Sequence, residues 1–347
     1  MMKYITMLTI ALALSITACG GGGGSDDAVV RVCASNTIIG TYNTNGVAQD
    51  ISVDGNLAVV AEGNIGVAVF DVTNRNSPIL LADVDANGEV LSARLHNNNI
   101  YAYVLNNLDS KTYLVIVDIS NILSPIIKAS IPLSIQIESV NTIKTQWIEF
   151  DNNYIHVLTY EPANVVKYNI YDITDTSNPI STGSLTVNGL CGGVAKLYSV
   201  KVKNDVAYIG SYKGLHMVNV SDRSNPVLIS EVLFAGCYEN NIDISGDILY
   251  AAGGSYLKSY NIADPNSVYS LDDLSESNKF RVVSEIKGTA YGLGDNGEIS
   301  IIDVSNPSAI RDTNDDIFVY ESKMIIDDEI YLYVADSAGL KIVDTCK

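Results

Sequence analysis

A short phrase recurs along this chain at nearly regular intervals: an apolar run closed by Asp or Asn. The clearest copy is Leu-Val-Ile-Val-Asp at residues 114–118. Degenerate copies end at Asp71, Asp118, Asp172, Asn219, Asn261, Asp303 and Asp344, so the spacings are 47, 54, 47, 42, 42 and 41 residues. Periods of this length are typical of repeat architectures, in which each copy is one structural unit. Seven anchors therefore predict seven units.

Each unit is predicted to be a four-stranded antiparallel sheet. In residues 47–88 the strand and turn segments are Asp50–Val53, a turn at 54–56, Leu57–Ala61, Gly66–Asp71 and a strand after Pro78. Alternating β-branched and aromatic residues broken by Gly, Asn, Asp and Pro indicate hairpins. A sheet with two apolar faces must stack against its neighbours around an axis. The sequence therefore predicts an all-β fold, a seven-bladed β-propeller.

The two ends of the chain indicate how the ring closes. The last copy, residues 339–347, lacks an outer strand, and residues 36–46 parallel the outer strand at 178–189. We therefore expect a composite last blade that is closed by the N-terminal strand.

These repeats resemble the LVIVD-repeat family of bacterial exported proteins, over essentially residues 29–347. The resemblance implies propeller-type repeats. It implies no shared reaction and carries over no catalytic residues. The Asp or Asn that closes each copy is interpreted as a turn cap, because both side chains can accept backbone amides in turns.

The N-terminal residues predict an export signal. Lys3, the apolar run 5–16 and Ile16-Thr17-Ala18-Cys19 form a signal peptide over residues 1–18. The ending resembles a bacterial lipobox, which implies cleavage before Cys19 and lipidation of that residue. Residues 19–28 then form a Gly-rich tether, and residues 29–347 form the propeller. We expect a cell-envelope lipoprotein, with the outer membrane favoured.

Four further cysteines are an even number for an exported protein, so two disulfides are plausible. Of the three pairings, the repeat register favours Cys33 with Cys346 and Cys191 with Cys237. Two free thiols in loops are the alternative for Cys191 and Cys237.

The charge excludes some partners. The 347 residues carry 21 Lys and Arg against 40 Asp and Glu, a formal charge of −19. Such a surface repels phosphate backbones, so no nucleic-acid partner is predicted, and contact with the membrane is expected through the lipid anchor only.

Binding and catalytic sites of propellers usually lie at the axis, so functional side chains are expected at equivalent positions of the inner strands. One register reads Asp50, Ser92, Trp147, Ser199, Asn241, Val283 and Lys323, and the register two residues further on reads Ser52, Arg94, Glu149, Lys201, Asp243, Glu285 and Ile325. No carboxylate or imidazole cage emerges, so neither a metal nor a cofactor is predicted. The charged positions predict a ring of ion pairs or, alternatively, a polar ligand pocket. The candidate pocket residues are Asp50, Arg94, Trp147, Glu149, Lys201, Asn241, Asp243 and Glu285.

The sequence gives less support to the other candidate sites. His96, His156 and His216 fall in three different units, and none has an evident orienting partner in the sequence. Residues 83–88 mimic the opening of a calcium loop, but Arg94 stands where an EF-hand needs Glu, so a repeat turn is the better interpretation.

The leading hypothesis is a noncatalytic propeller that binds an envelope protein, peptide or glycan. A hydrolase or lyase with a divalent cation in the channel, using Asp50, Asn241, Asp243, Glu149 or Glu285, is the first alternative. A structural element of an envelope complex is the second.

Overall fold

The protein is a ring of seven β-sheets, as predicted. The structure, a computed structural model, describes residues 36–133, 148–161, 165–188, 190–191, 194–195, 197–234, 236, 241–294, 297–319, 321–322 and 324–345. Within these ranges there is no helix, and so none that could span a membrane. The signal segment and Cys19 lie outside the described residues.

Blades 1 to 4 each contain four antiparallel strands that run in sequence from the channel outward. The strand before blade 1 is β1 (Thr37–Asn43), and blade 1 is β2 (Asp50–Asp54), β3 (Leu57–Ala61), β4 (Val67–Asp71) and β5 (Ile79–Val84). Blade 2 is β6 (Glu89–His96), β7 (Asn99–Asn106), β8 (Lys111–Asp118) and β9 (Ile126–Leu133). Blade 3 is β10 (Ile148–Asp151), β11 (Tyr154–Glu161), β12 (Val165–Asp172) and β13 (Ile180–Val187). A short hairpin, β14 (Leu190–Cys191) and β15 (Val194–Ala195), precedes blade 4, which is β16 (Leu197–Lys203), β17 (Val206–Ser211), β18 (Gly214–Asn219) and β19 (Val227–Leu233).

Blades 5 and 6 depart from the regular pattern of strands. Blade 5 is β20 (Asn241–Ser245), β21 (Ile248–Asn261) and β22 (Tyr269–Phe280), and blade 6 is β23 (Val282–Ile286), β24 (Thr289–Leu293), β25 (Glu298–Asp303), β26 (Arg311–Asp312) and β27 (Ile317–Phe318). In blade 5 one unbroken strand, β21, occupies the second and third positions, and the Ile262 amide donates to the Asp247 carbonyl at 2.9 Å to close the hairpin. In blade 6 the outer position is split into β26 and β27, which both pair with β25.

Blade 7 is composite, which confirms the predicted closure. Its inner strands are β28 (Met324–Asp327), β29 (Tyr331–Asp336) and β30 (Gly339–Asp344). The N-terminal strand β1 pairs with β30 and supplies the outer edge, with Thr37 opposite Asp344 and Asn43 opposite Gly339. On the other side of the seam, β2 of blade 1 packs against β28. The chain thus closes the ring by joining its two ends in one sheet.

The apolar core lies between the blades, because each sheet buries side chains on both faces. A tyrosine occupies the same rung of the second strand in five blades and is buried in each, at Tyr101, Tyr208, Tyr250, Tyr291 and Tyr333. Neighbouring blades contact each other through such rings: Tyr101 of blade 2 packs edge-on against Phe150 of blade 3, with 4.9 Å between ring centroids.

In six of the seven copies, the residue that closes the phrase caps the turn that follows it, as predicted. The carboxylate of Asp118 accepts the Ser120 amide at 2.8 Å, and the side chain of Asn219 accepts the Ser221 amide at 2.9 Å. The same bond occurs at Asp71, Asp172, Asn261 and Asp303. Asn can replace Asp because the bond requires an acceptor oxygen and no charge. The sequence motif is therefore a structural one.

The inner hairpin turns and the capped turns lie at the same end of the ring. In blade 1 the Val72 amide, just after the capping Asp71, donates to Asn56 in the hairpin turn at 2.8 Å. The N-terminal strand begins at this end too, since the Asn36 amide donates to the Asp344 carbonyl at 2.7 Å. We call this end the capped face.

Candidate functional site

The innermost strands face the channel with one edge, and polar side chains of one blade bind backbone amides of the next. Asn241 accepts the Val283 amide at 3.0 Å, Asp243 accepts the Glu285 amide at 2.8 Å, and Ser199 accepts the Ile242 amide at 3.0 Å. An edge strand leaves amides without a strand partner, and these side chains satisfy them. Much of the polarity of the predicted channel register therefore holds the blades together.

Among the described residues, Asp50 and Arg94 form the most buried ion pair of the channel. Arg94 Nη1 lies 2.5 Å from Asp50 Oδ2, and the two side chains are 8% and 2% exposed. Asp50 also accepts the Ser92 hydroxyl at 2.5 Å and the Ala93 amide at 3.2 Å. All these donors come from blade 2, so this pair fixes the seam between blades 1 and 2.

The predicted register of charged positions is confirmed in blades 1 to 5 and wrong in blades 6 and 7. Arg94, Glu149, Lys201 and Asp243 occupy the same rung, opposite Tyr101, His156, Tyr208 and Tyr250. In blade 6 that rung holds Ser284, opposite Tyr291, instead of Glu285. In blade 7 it holds Ile326, opposite Tyr333, instead of Ile325.

The error has a physical cause in the position of the hairpin turns. The turn of blade 6 comes one residue earlier than even spacing predicts, at Lys287 and Gly288, and a slip of one residue moves a side chain to the other face of a strand. Glu285 therefore points away from this rung, and its carboxylate accepts the Gly288 amide at 2.5 Å.

A polar cavity of about 310 Å³ opens at the capped face of the channel, beside blades 3, 4 and 5. Its lining includes Glu149, Lys201, Lys203, Asp243 and Gly246. Lys201 Nζ lies 3.2 Å from Asp243 Oδ1, and Lys203 Nζ lies 2.9 Å from Asp247 Oδ1. This cavity, which we call the mouth cavity, brings together three of the predicted pocket residues.

Burial and neighbouring charges shift the pKa values of the ionisable groups in and beside the mouth cavity. Burial raises the pKa of Glu149, and the nearby Lys201 and Arg94 offset that rise only in part. Burial, with the neighbouring Asp243, raises the pKa of Asp327 to about 6, although the Ser284 hydroxyl donates to it at 2.5 Å. Burial lowers the pKa of Lys201, but Asp243 and Glu149 outweigh that effect and its pKa lies above the ordinary value.

Asp327→Asn is expected to stabilise the protein at pH 8 by up to about 3 kcal/mol, since each pKa unit corresponds to about 1.4 kcal/mol. The folded pKa of Asp327 lies above its usual value of 3.8, so its ionisation costs stability as the pH rises from about 4 to about 6. The gain should therefore be small at pH 4 and constant above pH 7 in urea unfolding. Asp54→Asn, the same change at an exposed site, is the control. A gain equal at pH 4 and pH 8 would contradict the assignment.

Most of the other residues predicted to have a functional or bridging role lie outside the described residues. Trp147, Cys33, Cys237 and Cys346 fall in undescribed segments, and for Cys191 only its place on β14 is described. The two predicted disulfides thus stay predictions.

The three histidines lie in blades 2, 3 and 4, as expected. His96 stacks on Phe150, and buried His156 bonds the Tyr168 hydroxyl. The expectation that no histidine has an orienting partner is wrong for His216, whose Nδ1 lies 2.7 Å from Glu231 Oε1 and whose Nε2 lies 2.7 Å from Ser211 Oγ.

This Ser–His–Glu arrangement is built into a hairpin turn. The Ser211 side chain is fully buried, and its hydroxyl oxygen accepts the Lys213 and Gly214 amides at 3.1 Å each. A nucleophile must reach its substrate, whereas this hydroxyl faces its own turn. We interpret the three residues as a structural contact that holds the turn against the outer strand β19. The contact joins positions that are distant in the sequence, so no local motif predicts it.

The described residues contain no group of three or more His, Cys, Asp or Glu side chains placed to hold a metal ion. The calcium-loop mimic at residues 83–88 is a turn: Asp85 accepts the Asn87 amide at 2.7 Å, and Asn87 has a φ of 61°.

Solved structures similar to this one share its fold at very low sequence identity. A chain of the mitotic checkpoint complex is 12% identical with a TM-score of 0.65, over 97% of this chain and 98% of that one. Sqt1 of Saccharomyces cerevisiae is 9% identical with a TM-score of 0.60, over 90% and 99%. The computationally designed Ika8 protein is 11% identical with a TM-score of 0.58, over 89% and 100%. These likenesses show the fold alone.

The sequence comparison identifies the repeats. No curated protein matches the sequence. The LVIVD repeat model matches residues 45–86, 99–131, 193–233, 291–311 and 328–345, which fall in blades 1, 2, 4, 6 and 7. Such a repeat domain suggests a binding or scaffold role. This chain therefore contains LVIVD repeats in five segments, and the described residues form a seven-bladed β-propeller.

Proposed function

We propose that this protein is a noncatalytic, lipid-anchored propeller of the cell envelope that binds a protein, peptide or glycan at the mouth cavity. The observation that carries the proposal is the cavity itself. It combines two ammonium groups, Lys201 and Lys203, with the carboxylates of Glu149 and Asp243. Mixed charges and exposed hydrogen-bonding groups suit a polar, zwitterionic or hydroxylated ligand segment.

The hydrogen bonds made by the inner strands favour a binding role over a catalytic one. Asp50, Asn241 and Asp243, three of the candidate catalytic groups, bind amides of neighbouring blades. A group committed to the scaffold is a poor general acid or base, because proton transfer would break the bond that holds the seam. Lys201 and Lys203 line the mouth cavity with their ammonium groups and are suited to contact a ligand there.

The first described residue of the propeller and the mouth cavity lie at the same end of the ring. Asn36, which follows the tether and its flanking residues, bonds to Asp344 at the capped face, and Gly246 of the cavity belongs to an inner hairpin turn at that face. With a lipid on Cys19, the cavity would face the membrane-proximal space. Its partner would accordingly be an envelope component held near the same membrane.

Capture from detergent-solubilised membranes tests the proposal with the full chain. Wild type should retain a stoichiometric partner, and the double variant Glu149→Gln with Lys203→Ala should retain at least about tenfold less, as expected for the loss of one charged contact worth about 1.4 kcal/mol. Lys128→Ala is the matched control, because Lys128 pairs with Asp118 at 2.8 Å as Lys203 pairs with Asp247, but on the outer strand of blade 2.

Two outcomes would contradict the proposal. Equal retention by wild type and the double variant would place the contact elsewhere, and no stoichiometric partner in any arm would remove the binding role. The anchor is tested in the same cells, since Cys19→Ala should abolish lipid labelling and move the protein out of the membrane fraction.

A further inference from the structure

Glu62, at the opposite end of blade 1 from the capped face, is a buried carboxylate without a partner. Its residue is 2% exposed, and within the described residues neither Oε1 nor Oε2 has a hydrogen-bond partner. It follows β3 and begins the turn to β4, where its backbone amide donates to Gly66 at 2.9 Å. Buried polar groups are nearly always satisfied, and an orphaned one calls for a water molecule or an ion.

The linker that covers Glu62 also contacts a second carboxylate, Asp83. The segment Thr44–Gly46, which links the N-terminal strand to blade 1, covers it closely: a Cβ on Gly46 would lie 2.9 Å from Glu62 Cβ. The Asn45 side-chain amide lies 3.1 Å from Asp83 Oδ2. Asp83 is exposed on the outer strand β5, so the group opens to solvent on one side.

The electrostatics of this group are unbalanced. Burial and then the charge of Asp83 raise the pKa of Glu62, while the Thr44 hydroxyl and the Asn45 and Gly46 amides offset the rise in part. No ion pair joins Glu62 or Asp83 to a Lys or Arg in the described part of the chain. Two neighbouring carboxylates without a cation are unfavourable, and a bound cation is the direct remedy.

We propose that Glu62 and Asp83, with the side-chain oxygen of Asn45, bind a calcium ion at the junction between the ring-closing strand and blade 1. Calcium takes six to eight oxygen ligands in flexible geometry, and carboxylates, amide oxygens and water are its usual donors. Glu62 offers two oxygens, Asp83 offers up to two, and water can reach the exposed side. The Asn45 side chain can present its oxygen by rotating its amide.

With two carboxylates the site is a weak one, of the kind found in extracellular modules, which bind calcium at about 10⁻⁴–10⁻³ M. The proposal rests on residues of the propeller and is independent of the mouth cavity and of any anchor. Its consequence is local: the ion would tie the linker 44–46 to blade 1 and so stabilise the closure of the ring.

The test is thermal unfolding of the full chain in EDTA and in 10 mM CaCl₂, with MgCl₂ at the same concentration to control for screening of the net charge. Calcium should raise the melting temperature of wild type by about 3 °C more than magnesium. Glu62→Gln should lose this calcium-specific shift, and Asp54→Asn, an exposed acid at the capped face, should keep it.

The stabilities of Glu62→Gln and wild type, compared in EDTA and in calcium, distinguish a Glu62 that binds an ion from a Glu62 with a structural role alone. Glu62→Gln should be more stable than wild type in EDTA, because it removes an uncompensated charge, and less stable than wild type in calcium. If Glu62 only anchors the linker through the Asn45 and Gly46 amides, the variant will be less stable in both buffers. That result, or equal shifts with calcium and magnesium in wild type, would overturn the proposal.

Equilibrium dialysis with radioactive calcium on wild type and Asp83→Asn keeps the proposal testable if Glu62→Gln fails to fold. One additional bound ion per chain is expected in wild type relative to Asp83→Asn. Equal stoichiometry in the two proteins would reject the site.

Discussion

Gly40→Ala should lower the free energy of unfolding by about 3 kcal/mol, because the added methyl group meets backbone across the closing seam. A Cβ on Gly40 would lie 1.9 Å from the Arg75 carbonyl oxygen and 3.4 Å from Pro78 Cδ. Gly40 belongs to β1 in blade 7, whereas Arg75 and Pro78 belong to the capped turn of blade 1. One of the two backbones must therefore move, and urea unfolding followed by circular dichroism should show a lower midpoint.

The small residue at this position is a general feature of the seams. A Cβ on Gly183 of blade 3 would likewise lie 2.2 Å from the Arg223 carbonyl oxygen, and Ser230 of blade 4 donates its hydroxyl to the Pro265 carbonyl at 2.5 Å. Gly183→Ala should accordingly destabilise to a similar degree.

Gly55→Ala is the control for these glycine variants. Gly55 has a φ of 59° and open space around its Cβ position, so only the strain of a left-handed alanine is expected, about 1 kcal/mol. Equal losses for Gly40→Ala and Gly55→Ala would show that close approach at the seam is not the cause.

Arg94→Met should destabilise the protein by about 3–5 kcal/mol, because it leaves the buried Asp50 carboxylate without its cation. Arg94 is 8% exposed and Asp50 2%, so solvent cannot replace the lost charge. Methionine retains most of the apolar stem and so limits the loss of packing. Chemical denaturation at pH 7 measures the effect.

A double variant separates the lost charge pair from lost packing. Asp50→Asn removes the stranded charge and keeps an acceptor for the Ala93 amide, which lies 3.2 Å from Asp50 Oδ2. Asp50→Asn with Arg94→Met should therefore be more stable than Arg94→Met alone, whereas additive losses would show that the two residues act independently.

The parts of the fold that the sequence predicted are those carried by local patterns. Asp118 and Asn219 cap turns two residues away, and that contact requires only neighbours in the chain. The composite blade was also predictable, because a copy without an outer strand at residues 339–344 and an orphan strand at 37–43 complement each other. Both follow from counting repeat units.

The channel register was only partly predictable, since even spacing cannot locate each hairpin turn. Ser284 replaces Glu285, and Ile326 replaces Ile325, after a slip of one residue. In blade 5 the continuous strand β21 and in blade 6 the split outer strand likewise depend on packing against neighbours. The partner of His216 was missed because Ser211 and Glu231 meet it only once three strands of blade 4 are paired.

The sequence by itself determined the number of blades, the split of the last one and the role of the repeated Asp, because repeat length, strand alternation and turn caps are local properties. Only the tertiary structure decided which side chains meet: Asp50 with Arg94, and Lys201 with Asp243. Both pairs join adjacent blades at residues more than 40 positions apart. A shift of one residue in any strand would turn its side chain to the opposite face, so these contacts are fixed by register and not by composition.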